Sequence, residues 1–266
     1  MATPWLRAAT MLIRSEPLAL PIAGIDTVIL AGGLGTRLSS ILSGRQKVLA
    51  EVGGQPFLAK LLDFYSVAGA ERIILAAGHR ASEVENFVTR QDGAPQIVVS
   101  IEPSPRGTGG ALRHALPYLQ SSTVLVANGD SFAAFNLAAL VKFHHERRSV
   151  ITLALAFAEN TARYGRVEIG ERGDVLKFEE KPATVSGSPP VSGYINAGIY
   201  LMNREVIAGL PADATISLER EVFPQWLGRG LFALAADVPF IDIGTPASWR
   251  EAETFFAELE LASHDH

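Results

Sequence analysis

The segment Leu30 to Leu38, LAGGLGTRL, combines three glycines with a threonine and an arginine immediately after an apolar run. Glycines allow a turn to expose several backbone N–H groups on one concave surface, and such a surface binds anions. Arg37 adds a planar, permanently charged donor, and Lys47 follows as a second cation. A turn that only linked a strand to a helix would leave Arg37 without a role. The segment therefore predicts a phosphate-binding loop, and the two cations suit a triphosphate.

Two other glycine-rich nucleotide loops fit this segment poorly. A dinucleotide-binding fingerprint needs glycine or alanine where Leu38 stands and an acidic residue at the end of the second strand, and both are missing. A Walker loop needs Gly-Lys-Ser or Gly-Lys-Thr after four spacer residues, which is also missing. The sequence therefore disfavours a dinucleotide-dependent oxidoreductase, although NADH binding in a fluorescence titration would revive that hypothesis.

Two aspartates are candidates for the same site. Asp130 ends the fourth apolar run, in VANGDS, and Asp242 lies between apolar residues in FIDIGT. A carboxylate over a phosphate loop repels phosphate unless a metal ion lies between them. The alternative for each residue is an aspartate that caps a turn or a helix. Both aspartates therefore stay candidates whose surroundings decide their role.

The first half of the chain supplies the elements that must position these residues. Short apolar runs alternate with stretches of helical period, which predicts β-α-β units around a Rossmann-like, mainly parallel sheet with helices on both faces. The predicted strands are IDTVILAGG, RIILAAG, QIVVSIE and STVLVANGD, and the predicted helices cover Gln55 to Ala68, Ser82 to Arg90, Gly109 to Leu119 and Asn136 to Arg147. Ligands of such sheets bind beyond the carboxyl ends of the strands. Four strand ends should therefore converge on one site: Gly32 to Arg37, Gly78 to Arg80, Pro105 to Gly110, and Asn128 to Asp130.

The second half, from Ser149 onward, is richer in strand-like segments. It predicts a small β-rich portion, inserted or at the sheet edge, that closes over the sheet, with a hairpin turn at Glu171 to Asp174. Three further features are a mobile loop at Ala183 to Gly193, a helix from Ser217 to Trp226, and a helix capped by Thr245 with Pro246 at its first position. We expect His144 and His145 to face different sides of a helix and therefore not to share a metal.

Composition limits the class of protein and its partners. The chain has 266 residues, 48% of them hydrophobic, which is enough for one substantial core. A net charge of −5 argues against wrapping nucleic acid, because phosphate-backbone binding needs a concentrated basic surface. The absence of cysteine excludes disulfides, thiolate metal sites and a cysteine nucleophile. The sequence contains no uninterrupted run of about 18 apolar residues, the length that would predict a membrane-spanning helix. We therefore expect no membrane partner.

Composition and residue pattern also predict the domain boundaries. Residues 1–24 contain two arginines and a short apolar run interrupted by prolines, so we expect a poorly ordered extension before the domain. Residues 25–260 should form a single domain, with 25–148 and 149–260 as its two halves. Residues 261–266 read as a frayed tail.

Several motifs, in this order, resemble those of the sugar-1-phosphate nucleotidyltransferases: AGGLGTRL followed by a lysine, NGD, FEEKP, NAGIY and FIDIGTP. The similarity covers about Ile25 to Glu258. Within that family GGLGTRL, KVLAEVGGQPFL, RGTGGAL and FIDIGTPASW look most like the D-glycero-D-manno-heptose 1-phosphate guanylyltransferases. The chain departs from the family at Gln46, where a proline usually precedes the lysine, so the segment before Lys47 lacks the rigidity of that proline.

The resemblance implies the nucleotide-diphospho-sugar transferase type of fold, Mg²⁺ as cofactor, and a role for each matching residue. Residues 25–148 would bind the nucleotide and residues 149–260 the sugar phosphate. The catalytic set would be Arg37, Lys47, Asp130, Lys181 and Asp242, with Mg²⁺ held by Asp130 and Asp242. The sugar would contact Tyr164, Gly165, Glu180 and Asn196, whereas Tyr200 belongs to the core. The nucleotide would lie against Leu30, Ala31, Gly32, Gly33, Gly35, Thr36, Gly78, Gly107, Thr108, Gly109, Asn128 and Gly129.

The resemblance favours a cytoplasmic, Mg²⁺-dependent enzyme that converts a nucleoside triphosphate and a sugar 1-phosphate into a nucleotide sugar and pyrophosphate. The motifs favour guanine as the base and heptose as the sugar, and the resemblance implies that the product serves surface-polysaccharide biosynthesis. Glucose-1-phosphate thymidylyl- or cytidylyltransferase and mannose-1-phosphate guanylyltransferase stay open. A regulator that binds nucleotide sugars without turnover is the alternative of another class. It is opposed by the retention of all five catalytic candidates, because a decayed site would lose some of them.

Overall fold

The structure, a computed structural model, describes residues 20–33, 44–91, 95–179 and 191–262, together with residues 5, 7, 9, 10, 35, 38 and 42. The predicted site residues Thr36, Arg37, Glu180 and Lys181 lie outside the described residues, as do residues 183–190 of the predicted loop and 263–266 of the predicted tail.

The strands within the described residues account for most of the predicted ones. In chain order they are β1 (Asp26–Leu30), β2 (Glu51–Val52), β3 (Gln55–Pro56), β4 (Arg72–Ala77), β5 (Gln96–Ile101), β6 (Thr123–Asn128), β7 (Ser131–Ala133), β8 (Ile151–Ala158), β9 (Arg166–Ile169), β10 (Val175–Glu179), β11 (Gly193–Asn203), β12 (Leu231–Ala236) and β13 (Phe240–Asp242). The strand runs of the first half correspond to β1, β4, β5 and β6. The predicted turn at Glu171 to Asp174 joins β9 to β10, which pair antiparallel.

Among the described residues, nine strands form one mixed sheet. Seven of them follow the order β10-β9-β11-β6-β1-β4-β5, and the other two are β8, which pairs with β11, and β12, which pairs with β8. The strands β6, β1, β4 and β5 run parallel. β11 pairs antiparallel with β6 and continues the sheet into the second half of the chain. The second half therefore extends the central sheet at its edge, which is one of the two predicted placements, rather than closing over the sheet. Because β6 and β11 pair directly, the backbone groups of both halves are hydrogen-bonded within one sheet, and the second half needs no separate sheet of its own.

Helices cover both faces of the sheet, as predicted. They are α1 (Phe57–Val67), α2 (Ala81–Val88), α3 (Gly107–Ala115), α4 (Leu137–Glu146), α5 (Arg204–Ala208) and α6 (Pro246–Ala262). Each face of the sheet carries its own cluster of buried apolar residues. Helices α1, α2, α4 and α6 contribute to the cluster on one face, and α3 and α5 to the cluster on the other. Neighbouring strand residues alternate between them, as with Val28 and Ile29 of β1, because successive strand side chains point to opposite faces. The predicted fold class is therefore confirmed.

Two predicted helices differ from the structure where prolines interrupt them. The helix predicted from Gly109 to Leu119 runs from Gly107 to Ala115 and continues as a 3₁₀ turn, Leu116–Tyr118, that contains Pro117. The helix predicted from Ser217 to Trp226 is a π turn, Leu218–Val222, followed by a 3₁₀ turn, Phe223–Trp226. Proline has no N–H to donate to the carbonyl four residues earlier, so a regular α-helix cannot run through Pro117 or Pro224.

The helix predicted to begin at Pro246 does begin there. Thr245 and Ser248 exchange bonds at its start: Ser248 N–H donates to Thr245 Oγ1 at 3.2 Å, and Thr245 N–H donates to Ser248 Oγ at 3.2 Å. This reciprocal pair satisfies two N–H groups that the helix itself cannot.

The N-terminal segment differs from the predicted poorly ordered extension at the residues described. Trp5 is 1% exposed and Ala9 is fully buried in the larger core cluster. The Trp5 ring packs edge-on against Phe132 and Phe256, with centroids 5.5 and 4.9 Å away, and its Nε1 donates to the Lys60 carbonyl at 3.3 Å. A tryptophan buries a large apolar area, which compensates for ordering the chain around it.

No helix among the described residues is long and apolar enough to span a membrane. Within the same residues, no group of three or more histidine or acidic side chains could hold a metal ion by itself. His144 is buried, and its Nδ1 lies 2.8 Å from Thr152 Oγ1.

Candidate active site

The candidate site lies where the strand order of the sheet reverses. From β1 the chain moves outward to β4 and β5 on one side and returns to β6 on the other. Leu30 and Asn128 are register partners at the carboxyl ends of β1 and β6, and Gly129 N–H donates to the Leu30 carbonyl at 3.0 Å. The loops after these two strands therefore diverge from adjacent points, which opens a crevice between them.

A cavity of about 350 Å³ occupies this crevice. Nine of the predicted site residues line it: Leu30, Gly32, Gly33, Gly35, Lys47, Gly107, Thr108, Asn128 and Asp130. Its remaining lining residues are Val48, Glu102 and Ala111, together with Pro105, which begins the predicted strand-end segment Pro105 to Gly110. Residues that are distant in the sequence thus share one wall.

Four predicted nucleotide contacts do not line this cavity: Ala31, Gly78, Gly109 and Gly129. The N–H of Ala31 donates to the Ala76 carbonyl at 2.8 Å, and the N–H of Gly109 donates to the Ile216 carbonyl at 2.8 Å. These backbone groups hold neighbouring segments together.

Lys47 and Asp130 form the charged centre of the cavity wall. Lys47 opens a 3₁₀ turn, Lys47–Leu49, and its Nζ lies 2.5 Å from Asp130 Oδ2. The lysine side chain is 12% exposed and the aspartate side chain 45% exposed. The cation is therefore largely enclosed, whereas its partner stays open to solvent and to a ligand.

The second aspartate reaches the same place through a short ladder. β13 pairs antiparallel with β7, so that Asp242 lies opposite Ser131, and Ile243 N–H donates to the Asp130 carbonyl at 2.8 Å. Asp242 Oδ1 accepts a bond from Gly244 N–H at 2.7 Å. A Cβ placed at Gly244 would lie 3.8 Å from Lys47 Nζ, which puts the lysine beside this turn. The structure thus brings the two predicted metal ligands to adjacent backbone segments, Asp130 just before β7 and Asp242 at the end of β13.

One of the residues predicted to contact sugar, Tyr164, bonds Asp242, and two others, Gly165 and Asn196, bond each other. Tyr164 donates its hydroxyl to Asp242 Oδ2 at 2.8 Å, and Asn196 N–H donates to the Gly165 carbonyl at 3.1 Å. The Asn196 amide is engaged within β11: its Oδ1 accepts from Gly198 N–H at 3.0 Å and its Nδ2 donates to the Tyr200 hydroxyl at 2.8 Å. Tyr200 is fully buried, as predicted for a core residue.

Glu102 is a buried acidic residue in the cavity wall, and no motif in the sequence predicted a role for it. It follows β5 directly and is 8% exposed. Its Oε2 accepts the Arg106 N–H at 3.2 Å, and its Oε1 lies 2.5 Å from the position that a Cβ at Gly78 would take, so the carboxylate packs closely against this glycine. Burial raises the pKa of the Glu102 carboxyl, against bonds and charges from Arg106 and His114. The available signal was an acidic residue at the carboxyl end of a predicted parallel strand.

Gln46, the departure from the family pattern, is buried beside this wall at 2% exposure. Its Oε1 accepts the Lys47 N–H at 2.5 Å, and its Nε2 donates to the carbonyl of Ala31 at 2.7 Å. The segment before Lys47 is thus fastened by a side chain.

Comparison with known proteins assigns the class. The family described as Nucleotidyl transferase matches residues 26–258, and the chain belongs to that family, as its motifs predicted. A mannose-1-phosphate guanylyltransferase of Mycobacterium tuberculosis is 34% identical over 226 residues, covering 84% of this chain and 62% of the relative. A D-glycero-alpha-D-manno-heptose 1-phosphate guanylyltransferase of Aneurinibacillus thermoaerophilus is 30% identical over 230 residues, covering 86% of this chain and 97% of the relative.

A solved structure shows the same architecture. The crystal structure of HddC from Yersinia pseudotuberculosis complexed with GMP-PN matches with a TM-score of 0.76 at 30% identity. The match covers 87% of this chain and 99% of that one. The fold predicted from the motifs is therefore shared with a protein of known structure.

Proposed function

We propose that the protein transfers a guanylyl group from GTP to D-glycero-D-manno-heptose 1-phosphate and releases pyrophosphate. The observation that carries the proposal is that Lys47, Asp130 and Asp242 lie together beside the cavity. This cavity is lined in part by residues of Leu30 to Leu38, called here the glycine loop. The names of the heptose relative and of the HddC complex support the choice of base and sugar.

The chemistry asks for charge control more than for acid–base catalysis. An oxygen of the sugar phosphate attacks the α-phosphorus of GTP, a new P–O bond forms, and the bond from that phosphorus to the bridging oxygen breaks as pyrophosphate leaves. The attacking oxygen is already ionised at neutral pH and needs no general base. Two anions must instead be neutralised and aligned. The Lys47 ammonium and the glycine-loop N–H groups would neutralise the triphosphate, together with Arg37, and Lys181 would hold the sugar phosphate.

The donor set at Asp130 and Asp242 suits Mg²⁺. Mg²⁺ prefers oxygen ligands and is held in such sites by one or two carboxylates, with substrate phosphates completing the shell. Asp130 is open enough to exchange Lys47 for a cation, and Asp242 reaches it across the β7–β13 ladder. Bound there, Mg²⁺ would supply positive charge between the triphosphate and the sugar phosphate. Tyr164 would keep Asp242 oriented through its hydroxyl bond.

Glu102 gives the cavity a means of reading guanine. The Watson–Crick edge of guanine presents two adjacent N–H donors, at N1 and at the 2-amino group, and a carboxylate can accept both. Adenine, cytosine, thymine and uracil do not offer that pair. The buried position of Glu102 strengthens such bonds and makes their loss costly. Gly107 and Thr108, on the same wall, allow the base to lie close to the backbone of α3.

Mannose 1-phosphate is the second candidate sugar. It is favoured by the mycobacterial relative, whose name carries that substrate and which is 34% identical. Both sugars would use the same phosphate and metal groups, so only the contacts around Tyr164, Gly165, Glu180 and Asn196 would distinguish them. We also propose that the reaction takes place in the cytoplasm, where GTP is available, which cell fractionation can test.

The decisive experiment measures pyrophosphate release with Mg²⁺ over a grid of substrates. GTP, ITP, ATP, dTTP, UTP and CTP would each be combined with heptose, mannose and glucose 1-phosphates. Release with GTP and the heptose phosphate, weaker with ITP because it lacks the 2-amino group, is the expected result. Release with another pair would reassign base or sugar. A folded protein that binds nucleotide and turns over no pair would contradict the proposal and favour the regulator.

A further inference from the structure

Gln46 holds together three segments of the candidate site. Its Nε2 donates to the Ala31 carbonyl at 2.7 Å and to the His79 carbonyl at 3.1 Å, while its Oε1 accepts the Lys47 N–H at 2.5 Å. Ala31 lies at the start of the glycine loop, and His79 lies in the loop after β4. Lys47 is the first residue of the 3₁₀ turn Lys47–Leu49. One side chain thus joins three loops of different origin in the sequence.

These bonds engage the whole Gln46 amide in a dry environment. A glutamine amide offers two N–H donors and one carbonyl, and here both donors and the carbonyl have partners. At 2% exposure, each lost partner would leave a buried polar group without water to replace it. The backbone N–H of Gln46 adds a fourth bond, to Glu83 Oε2 at 2.8 Å on α2. Four hydrogen bonds therefore fix the backbone and the side chain of Gln46 in place.

The backbone at residue 46 has the shape that proline would impose. Gln46 has φ −63° and ψ 134°, and a proline ring fixes φ near −65°. A proline here would keep the turn but would lose the bonds to Ala31, His79 and Glu83. In this chain the side-chain amide supplies the rigidity, and it also ties the turn to two loops that proline could not reach.

We propose that Gln46 is a positioning residue that holds Lys47 and the glycine loop in the arrangement needed for nucleotidyl transfer. It touches no expected substrate position itself and acts through Lys47, whose Nζ faces Asp130. This role rests on the proposed function, because it assumes that the Lys47 ammonium contacts phosphate during turnover.

The test compares Gln46→Ala and Gln46→Glu with a matched control. Gln46→Ala removes all three side-chain bonds, and Gln46→Glu keeps an acceptor for Lys47 N–H but loses both donated bonds. Gln225→Ala is the control, because Gln225 is an exposed glutamine whose Nε2 also donates to a backbone carbonyl, that of Glu221 at 2.7 Å. All assays are run below the unfolding temperature of the weakest variant.

We expect both Gln46 variants to lower kcat by at least about tenfold, since small displacements of a catalytic group cost that much or more. The KM for the sugar 1-phosphate should change little, because Gln46 contacts none of the elements predicted to bind sugar. In a Lys47→Ala background, Gln46→Ala should cost less than about twofold further, the non-additivity of residues that act as a unit. Unchanged kcat in Gln46→Ala, or losses that multiply in the double variant, would overturn the proposal.

Hydrogen exchange provides a readout that does not depend on turnover. Amides of residues 31–35 and of Lys47 should exchange faster in Gln46→Ala than in the parent or in Gln225→Ala, while strand β6 stays protected. Unchanged exchange at these positions would contradict the positioning role even if the protein transferred no nucleotide. An inactive parent with accelerated exchange in the variant would instead discredit the proposed function alone.

Discussion

At the scale of single residues, each carboxylate of the candidate site has a partner within the protein. Lys47 is paired with Asp130, and the Asp242 oxygens accept bonds from Tyr164 and Gly244. A bound triphosphate would attract the Lys47 ammonium and leave the Asp130 carboxylate facing phosphate. That repulsion is relieved if a divalent cation takes the lysine's place beside the carboxylate. Asp130 should therefore matter far more for turnover than for folding.

Replacing Asp130 with asparagine should lower kcat/KM for nucleotidyl transfer by at least about a hundredfold, the scale of losing one electrostatic contact to a transition state. The stability should change by less than about 1 kcal/mol, because the Lys47–Asp130 pair is partly exposed. Pyrophosphate release and urea unfolding measure the two quantities. Asp237→Asn, a change to an exposed aspartate, is the control. Retained turnover in Asp130→Asn would disprove the metal assignment.

Glu102 predicts a pH dependence of GTP binding. Burial raises the pKa of its carboxyl, so the proton is held more tightly in the folded protein than in the unfolded chain. Only the ionised form can accept both guanine N–H groups. The KM for GTP should therefore rise as the pH falls through the raised pKa, above the usual range of about 4.3. Glu102→Gln should raise this KM by roughly tenfold and remove the pH dependence, as losing a bidentate base contact predicts.

The same pKa shift has the opposite effect on stability without nucleotide. The folded protein binds more protons than the unfolded chain between the two pKa values, so this group's contribution to the free energy of unfolding decreases as the pH rises through that window. Glu102→Gln should lessen that decrease in urea titrations. Glu71→Gln, at an exposed glutamate, should leave both profiles as in the parent. A parent KM independent of pH would argue against Glu102 as the guanine acceptor.

At the scale of elements, the short β7–β13 ladder and the helix that follows it carry much of the site. β7 follows Asp130, and β13 ends at Asp242. Phe132 on β7 packs against Phe256 of α6, and Trp5 packs against both rings. The N-terminal tryptophan therefore supports, from within the core, the ladder that brings the two aspartates together.

Removing this support should be costly. Trp5→Ala should lower the free energy of unfolding by about 3–5 kcal/mol, the range for deleting a large buried aromatic side chain. Urea unfolding measures the change. Tyr118→Ala, at an aromatic residue that is 42% exposed, should cost less than about 0.5 kcal/mol. A loss at Trp5 no larger than the loss at Tyr118 would show that the segment does not contribute to the core.

At the scale of the whole molecule, one sheet joins the half predicted to bind nucleotide to the half predicted to bind sugar. β6, whose end carries Asn128, pairs on one side with β1 and on the other with β11, which carries Asn196. Both predicted subsites are thus anchored to the same strand. A ligand that bridges them should stabilise the protein as a unit.

GTP together with Mg²⁺ should raise the unfolding temperature more than either component alone. Binding to the folded state at a hundred times Kd contributes about 2.7 kcal/mol. Calorimetry with GTP, with Mg²⁺, with both, and with both after EDTA separates the contributions. EDTA should abolish the excess stabilisation. Equal stabilisation by GTP with or without the metal would contradict a metal-bridged complex.

Much of the fold could be predicted because its signals are local. The period of apolar residues distinguishes strand from helix within a few residues of Val28 or Leu61, and the glycines after β1 indicate a turn, which we predict to bind phosphate. The convergence of the loops after β1, β5 and β6 followed from the geometry of parallel strands. The prolines at 117 and 224 are local signals as well, and in the structure their effect outweighs the helical pattern around them.

The family, the β-α-β order and the identity of most charged candidates could be inferred from the amino-acid sequence, since ordered motifs and local periods carry that information. The three-dimensional fold was needed to show that Asp242 lies beside Asp130, that Glu102 is enclosed in the cavity wall, and that Trp5 enters the core. It alone showed that Gln46 bonds Ala31 and His79. These are contacts between segments far apart in the chain, whose free energy depends on packing and on the exclusion of water, and neither is written in the local pattern of residues.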